Sequence, residues 1–127
     1  MNKMMVDTCA WVDFLRNKHG RLGDIVVSLI KNDSAILCDV VVAELLQGIK
    51  SKTEKQQLQL LFETVERVAV IPSDWDEAGN LLQQLRRKGI TLPLTDALIA
   101  TVAQRKQLAV LTTDKHFDYL PVKCMTS

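Results

Sequence analysis

Four carboxylates in this chain stand among apolar residues at widely separated places. Asp7 follows Lys3-Met4-Met5-Val6, and Glu44 lies within Val41-Val42-Ala43-Glu44-Leu45-Leu46. Asp96 opens Asp96-Ala97-Leu98-Ile99-Ala100, and Asp114 follows Leu111-Thr112-Thr113. A charge in such surroundings is costly unless it is paired or bound. Brought together, these acids would repel one another and raise one another's pKa values, so the set makes sense chiefly as a cation site. Magnesium prefers oxygen ligands in octahedral geometry at about 2.0–2.1 Å and keeps several waters. Two to four carboxylates can hold one or two such ions, with positions left for phosphate oxygens and an attacking water. The expected chemistry is metal-dependent hydrolysis, with phosphodiesters as the substrate.

Each acid also has a purely structural reading. Asp7 and Asp114 can cap the helical segments that follow them. Asp96 can be a first-turn residue favoured by the helix dipole, and Glu44 can pair with a distant Arg or Lys. Thr8, Thr112 and Thr113 flank the acids and are accessory candidates, able to orient a carboxylate or a metal-bound water; Thr95 reads better as a cap. Asp118 is the remaining acid placed nearest the site, whereas Asp39 reads as a helix cap. His19 and His116 are too few and too scattered for a zinc site, and His116 reads as a surface imidazole. Trp11 and Trp75 fall at core-facing positions and read as packing.

The elements that must position these groups alternate. Strands are predicted at about 3–6, 34–38, 68–71 and 108–111, with an edge strand at 121–124. Helices are predicted at about 9–16, 24–31, 39–49, 53–65, 73–88 and 95–106, and a helical turn at about 115–119. Gly20 and Gly23 are read as breakers before the second helix. Alternation without a hairpin signal argues for a parallel α/β sheet with helices on both faces. In such sheets ligands bind beyond the carboxyl ends of the strands. Asp7 and Asp114 should sit on that edge and Asp96 beside it, with Glu44 projecting from a mostly buried helix.

At 127 residues, residues 1–127 are expected to form one domain. The 47% hydrophobic and 24% charged content is that of a globular protein and argues against disorder. No apolar run approaches the roughly 18 residues that span a bilayer, and the start lacks a secretory pattern. A cytoplasmic location with no membrane partner is expected. Cys9, Cys38 and Cys124 form neither a CxxC pair nor a zinc spacing and read as buried free thiols. The net charge of +1 does not mark a nucleic-acid binder. Acids gathered at one site would nevertheless mask a basic rim drawn from Lys50, Lys52, Lys55, Arg86, Arg87, Lys88, Arg105 and Lys106.

With these segments in hand, a resemblance is plain. Met5-Val6-Asp7-Thr8-Cys9-Ala10-Trp11-Val12-Asp13 is similar to the opening of PIN domains, specifically the VapC toxins of bacterial toxin–antitoxin pairs. Val41 to Ile49, Asp96 to Ala100 and Leu111 to Phe117 resemble the later motifs, in order, over nearly the whole chain. The resemblance implies a three-layer α/β/α fold with a central parallel sheet and a magnesium- or manganese-dependent endoribonuclease that cuts RNA, with tRNA one candidate. It implies that Asp7, Asp96 and Asp114 are the main metal ligands, that Glu44 binds metal directly or through water, and that Thr112 or Thr113 supplies an accessory hydroxyl. It also implies a homodimer, a VapB-type antitoxin whose tail fills the active-site groove, and promoter DNA bound only through that antitoxin. Two positions depart from the family pattern. Cys9 stands where Ser is frequent, and His116 stands where many members have another Asp, which bears on binding of a second metal.

Two other readings compete. A phosphorylatable receiver has this length and a magnesium pocket, but Asp7 has no acidic neighbour and the middle strand ends at Pro72. A PIN domain without activity, serving as a binding module, would keep the fold but cleave nothing.

Overall fold

The structure, a computed structural model, describes residues 2–17 and 20–125. His19 lies outside them, so its predicted place away from any metal site has no structural counterpart. The element order is β1 (Met4–Val6), α1 (Thr8–Arg16), α2 (Arg21–Lys31), β2 (Ala35–Cys38), α3 (Asp39–Gln47) and α4 (Lys52–Thr64). It continues with β3 (Glu66–Val68), α5 (Pro72–Arg87), α6 (Leu94–Arg105), β4 (Ala109–Leu111), a 3-10 turn (Lys115–Tyr119) and β5 (Cys124–Met125).

The strands form one parallel sheet in the order β3-β2-β1-β4-β5. With the helices about it this is the expected three-layer α/β/α arrangement. It is not the receiver's order, which runs 2-1-3-4-5. β1 and β2 are buried at every residue, as strands covered on both faces must be. That is why they read as unbroken apolar runs. β1 has β2 on one side and β4 on the other. The chain therefore moves outward one way through β2 and β3, then returns to β1's other side with β4. Such a reversal opens a crevice at the carboxyl ends of the two central strands.

α6 is buried from Asp96 through Ala103. A helix apolar on nearly all sides belongs inside a molecule, and here it packs against α5 and α3. Trp11 and Phe117 are the largest wholly buried side chains, and Trp11 meets Phe14 edge-to-face at 6.1 Å.

Several local expectations need correction. α2 starts at Arg21, so Gly23 lies inside it rather than breaking the chain before it. A Cβ on Gly23 would come within 3.0 Å of the Phe14 Cα, so the glycine admits a close crossing of α1 and α2. α4 starts at Lys52, and its cap is Ser51, whose side chain accepts from the Glu54 N–H at 3.1 Å. Thr95 lies within α6 and Pro93 precedes that helix, so Thr95 is no cap. Asp39 is structural but does not cap α3; it binds the Arg67 side chain and the Val70 N–H.

Trp75 is half-exposed and faces the start of α6, where it lines a groove with Val70, Leu94 and Leu98. Asp74 is buried and held by Arg105, which gives that basic residue a structural role instead of a place on a rim. Of the cysteines only Cys38 is buried; Cys9 is partly exposed and Cys124, on the edge strand, is exposed.

Candidate functional site

Asp7 leaves β1 at its carboxyl end, its N–H bonded to the Leu111 carbonyl of β4 at 3.1 Å. It both caps α1 and faces the crevice. One oxygen, Oδ1, accepts from the Thr8 N–H at 2.8 Å. The other, Oδ2, accepts from the Thr112 hydroxyl at 2.7 Å and from the Cys9 thiol at 3.5 Å. Capping and a role in the crevice therefore coexist in one side chain. The same holds for Asp114, whose Oδ1 accepts from the His116 N–H at 2.9 Å and starts the 3-10 turn.

Thr112 ties the two together, since its hydroxyl oxygen also accepts from the Asp114 N–H at 2.9 Å. Buried and bonded on both sides, it sets the separation of β1's acid from β4's. Thr8 plays the matching part for α3, donating to Glu44 Oε1 at 2.7 Å. Asp96 comes from the first turn of α6, and its Oδ2 lies 2.8 Å from His116 Nδ1. That nitrogen is also 3.2 Å from Asp114 Oδ1. Asp96, Asp114 and His116 offer ligand atoms within 4.8 Å of one another.

Asp7, Glu44 and Asp96 all have raised pKa values, chiefly through burial, and neighbouring acids contribute to each. Burial raises Asp96's pKa to about 6, with Asp114 and Asp7 adding repulsion and His116 opposing it. Burial likewise raises Asp7, partly offset by its hydrogen bonds to Thr112, Thr8 and Cys9 and reinforced by Asp114. Glu44 is raised by burial, then by the charges of Asp7 and Asp114 against its Thr8 bond. Asp114's charge thus reaches all three of the others. Oxygen donors set close together, partly desolvated and mutually repelling, suit a hard divalent cation. Among the described residues Asp96, Asp114 and His116 have ligand atoms close enough to share such an ion, with Asp7 linked to Asp114 through Thr112 and Glu44 linked to Asp7 through Thr8.

Glu44 borders a groove containing Val12, Leu15 and Arg16 on one side and the Trp75 groove on the other. Of the accessory candidates, Thr8 and Thr112 bond to acids. Thr113 is exposed and reaches only Cys9 Sγ, at 3.9 Å. Asp118 is exposed and stands outside the Asp96, Asp114 and His116 group. The group that residue-type reasoning missed is His116. Its neighbour Asp96 is 20 positions away in sequence, and the signals for it are its place two residues beyond Asp114 and the family position at which many members carry another Asp.

A model of the PIN domain family matches residues 4–123, and the chain belongs to that family. Among solved structures it is similar to VapBC2 from Rickettsia felis bound to a promoter DNA fragment, at 20% identity, 98% coverage of each chain and a TM-score of 0.81. It is similar to DNA-bound VapBC from Salmonella typhimurium at 22% identity, covering 99% of this chain and 98% of that one, with a TM-score of 0.76. The likeness extends to VapC20 of Mycobacterium tuberculosis, a Sarcin-Ricin loop cleaving toxin, at 16% identity, 91% and 93% coverage and a TM-score of 0.69. At these identities what is shared is the fold.

Proposed function

We propose that the chain, as a single PIN domain, is a divalent-metal-dependent endoribonuclease and the toxin of a VapBC-type toxin–antitoxin pair. What supports this is the approach of Asp96 and Asp114 to each other beside His116, with Asp7, which follows β1, tied to Asp114 through Thr112 and Glu44 of α3 tied to Asp7 through Thr8. Membership of the PIN family supports nuclease chemistry. Neighbours that include DNA-bound VapBC assemblies and a Sarcin-Ricin loop cleaving toxin support the toxin role and an antitoxin partner; that promoter DNA is held through the antitoxin is part of the same proposal. No described helix is long and apolar enough to cross a membrane; a cytoplasmic location is part of the proposal.

Asp7, Asp96 and Asp114 would hold Mg2+ or Mn2+, with Glu44 at the margin. When bound, such an ion supplies a Lewis acid for the phosphate and a readily deprotonated water at neutral pH. The chain's own contribution is preorganisation. Thr112 fixes Asp7 relative to Asp114, and Thr8 fixes Glu44, so neither pair must be ordered when RNA arrives. The carboxylates repel an uncompensated phosphate, so RNA binds productively only with the cation in place.

The test is cleavage of RNA by the purified chain, with and without chelator, beside expression in bacteria lacking a cognate antitoxin. Cleavage that stops in chelator and growth arrest that Asp7→Asn removes are expected. Undiminished cleavage in excess chelator, or equal toxicity of Asp7→Asn, would refute the proposal. A binding module would cleave none of the RNAs offered with any cation.

A further inference from the structure

We infer that His116 is a nitrogen ligand to the cation held by Asp96 and Asp114, and that it biases this site toward Mn2+ over Mg2+. The inference rests on the metal-dependent reading above and specifies its ion.

Geometry is the first support. His116 Nδ1 lies 2.8 Å from Asp96 Oδ2 and 3.2 Å from Asp114 Oδ1. Adjacent ligands of an octahedral ion with bonds of about 2.1 Å are separated by about 3.0 Å. The nitrogen and each of the two oxygens are therefore spaced as neighbouring ligands would be. The same separations serve an ion pair of His116 with both acids, so a cation can replace the shared proton without rearrangement of the three side chains.

The backbone supplies the second support. The His116 N–H donates to Asp114 Oδ1 at 2.9 Å, and the Phe117 N–H donates to the Asp114 carbonyl at 3.2 Å. Phe117 is fully buried and anchors the turn. His116 is thus fixed relative to Asp114 by a short, hydrogen-bonded segment rather than by a flexible loop. Its ring remains half-exposed, so a hydrated ion has access to it.

Chemistry decides the ion. Magnesium is hard, favours oxygen and gains little from imidazole, whereas Mn2+, although the weakest binder of the first-row divalent series, gains more from a nitrogen ligand than Mg2+ does. A site of carboxylate oxygens with one imidazole nitrogen therefore separates Mn2+ from Mg2+. The all-oxygen site that an aspartate at this position would complete separates them much less.

The experiment uses the full chain with Mn2+ and Mg2+ alone. Free Mn2+ is followed by electron paramagnetic resonance during titration, with Mg2+ as competitor. Pulsed measurements on protein labelled with 15N in its histidines then report directly bound nitrogen. The wild type is expected to show one histidine coupling that His116→Gln removes. His116→Gln should weaken Mn2+ binding by about 10- to 100-fold, the scale on which metal-site partners act, and change Mg2+ binding less than about threefold. His116→Asp should keep both ions while losing the coupling and most of the preference.

Mn2+ bound in a manner that Asp96→Asn abolishes, yet without a histidine coupling, would overturn the role of His116 alone. Mn2+ binding indifferent to Asp96→Asn, or none at all, would remove the acidic site itself and this inference with it. If His116→Gln does not fold, the coupling in the wild type still decides.

Discussion

Asp96 should make the metal-free protein less stable as pH rises, and replacing it with Asn should reverse that loss. The side chain is 10% exposed, and its pKa is about 6 against an ordinary 3.8. Below about pH 4 it is protonated both folded and unfolded and contributes no pH dependence. Between about pH 4 and 6 the folded protein keeps a proton that the unfolded chain has released, so stability falls with rising pH. Above about pH 6 the loss is complete. At ~1.36 kcal/mol per pKa unit, a shift of about two units amounts to about 3 kcal/mol.

Asp7 and Glu44 are raised in the same direction and add to the trend. His116 is raised too, first by its bond to Asp96, and the stability it contributes at low pH also disappears as pH rises. Asn matches the shape of the protonated acid and cannot ionise. Urea unfolding in chelator should therefore show Asp96→Asn close to wild type near pH 4 and stabilised by roughly 2–3 kcal/mol near pH 8. With a slope of about 1–3 kcal/mol per molar urea, that moves the midpoint by on the order of 1–2 M. Mn2+ at a hundred times the wild-type Kd should narrow the gap, because the wild type then gains about 2.7 kcal/mol and a variant binding tenfold more weakly gains about 1.4 kcal/mol. A variant that is destabilised at pH 8 in chelator, or whose effect does not change between pH 4 and 8, would refute this electrostatic picture.

Three further outcomes are expected. Thr112→Val removes a donor to a buried carboxylate and leaves the Asp114 N–H unpaired, so it should lower stability by about 2–4 kcal/mol and weaken Mn2+ binding. Thr112→Ser should largely restore both in the same titrations. Trp11→Ala should cost about 3–5 kcal/mol by chemical denaturation, while Trp75→Ala, at a position 52% exposed, should cost about 1 kcal/mol or less. Arg105→Met leaves Asp74 buried without its partner and should cost about 3 kcal/mol or more; adding Asp74→Asn should recover part of that loss, which a double-mutant cycle measures.

The residues explain which parts of this fold were legible. A strand buried on both faces has to be apolar throughout, so Met4–Val6 and Ala35–Cys38 announced themselves. The acids that follow β1 and β4 then fell on one edge for any parallel sheet. Thr8 and Thr112 were reachable for the same reason, since they adjoin those acids in sequence. Strand order was not legible, because β1 meets β4 across more than a hundred residues and no local pattern encodes that pairing.

Trp75 misled because helical periodicity identifies a face without saying what covers it. Its stripe does bury Ala78 and Leu85, but the first turn of α5 looks onto α6 across an open groove. Gly23 misled in the opposite sense. A glycine ahead of a helical pattern looks like a breaker, whereas here its missing side chain serves a close helix crossing. His116 and the Asp74–Arg105 pair escaped because their partners lie 20 and 31 positions away.

The most direct measurement is a Mn2+ titration of the wild type and of Asp7→Asn, Glu44→Gln, Asp96→Asn and Asp114→Asn, each first confirmed to be folded. If side chains from four distant segments share one cation, each aspartate variant should lose at least about tenfold in affinity, and Glu44→Gln somewhat less. Unchanged affinity in all four folded variants would contradict it outright.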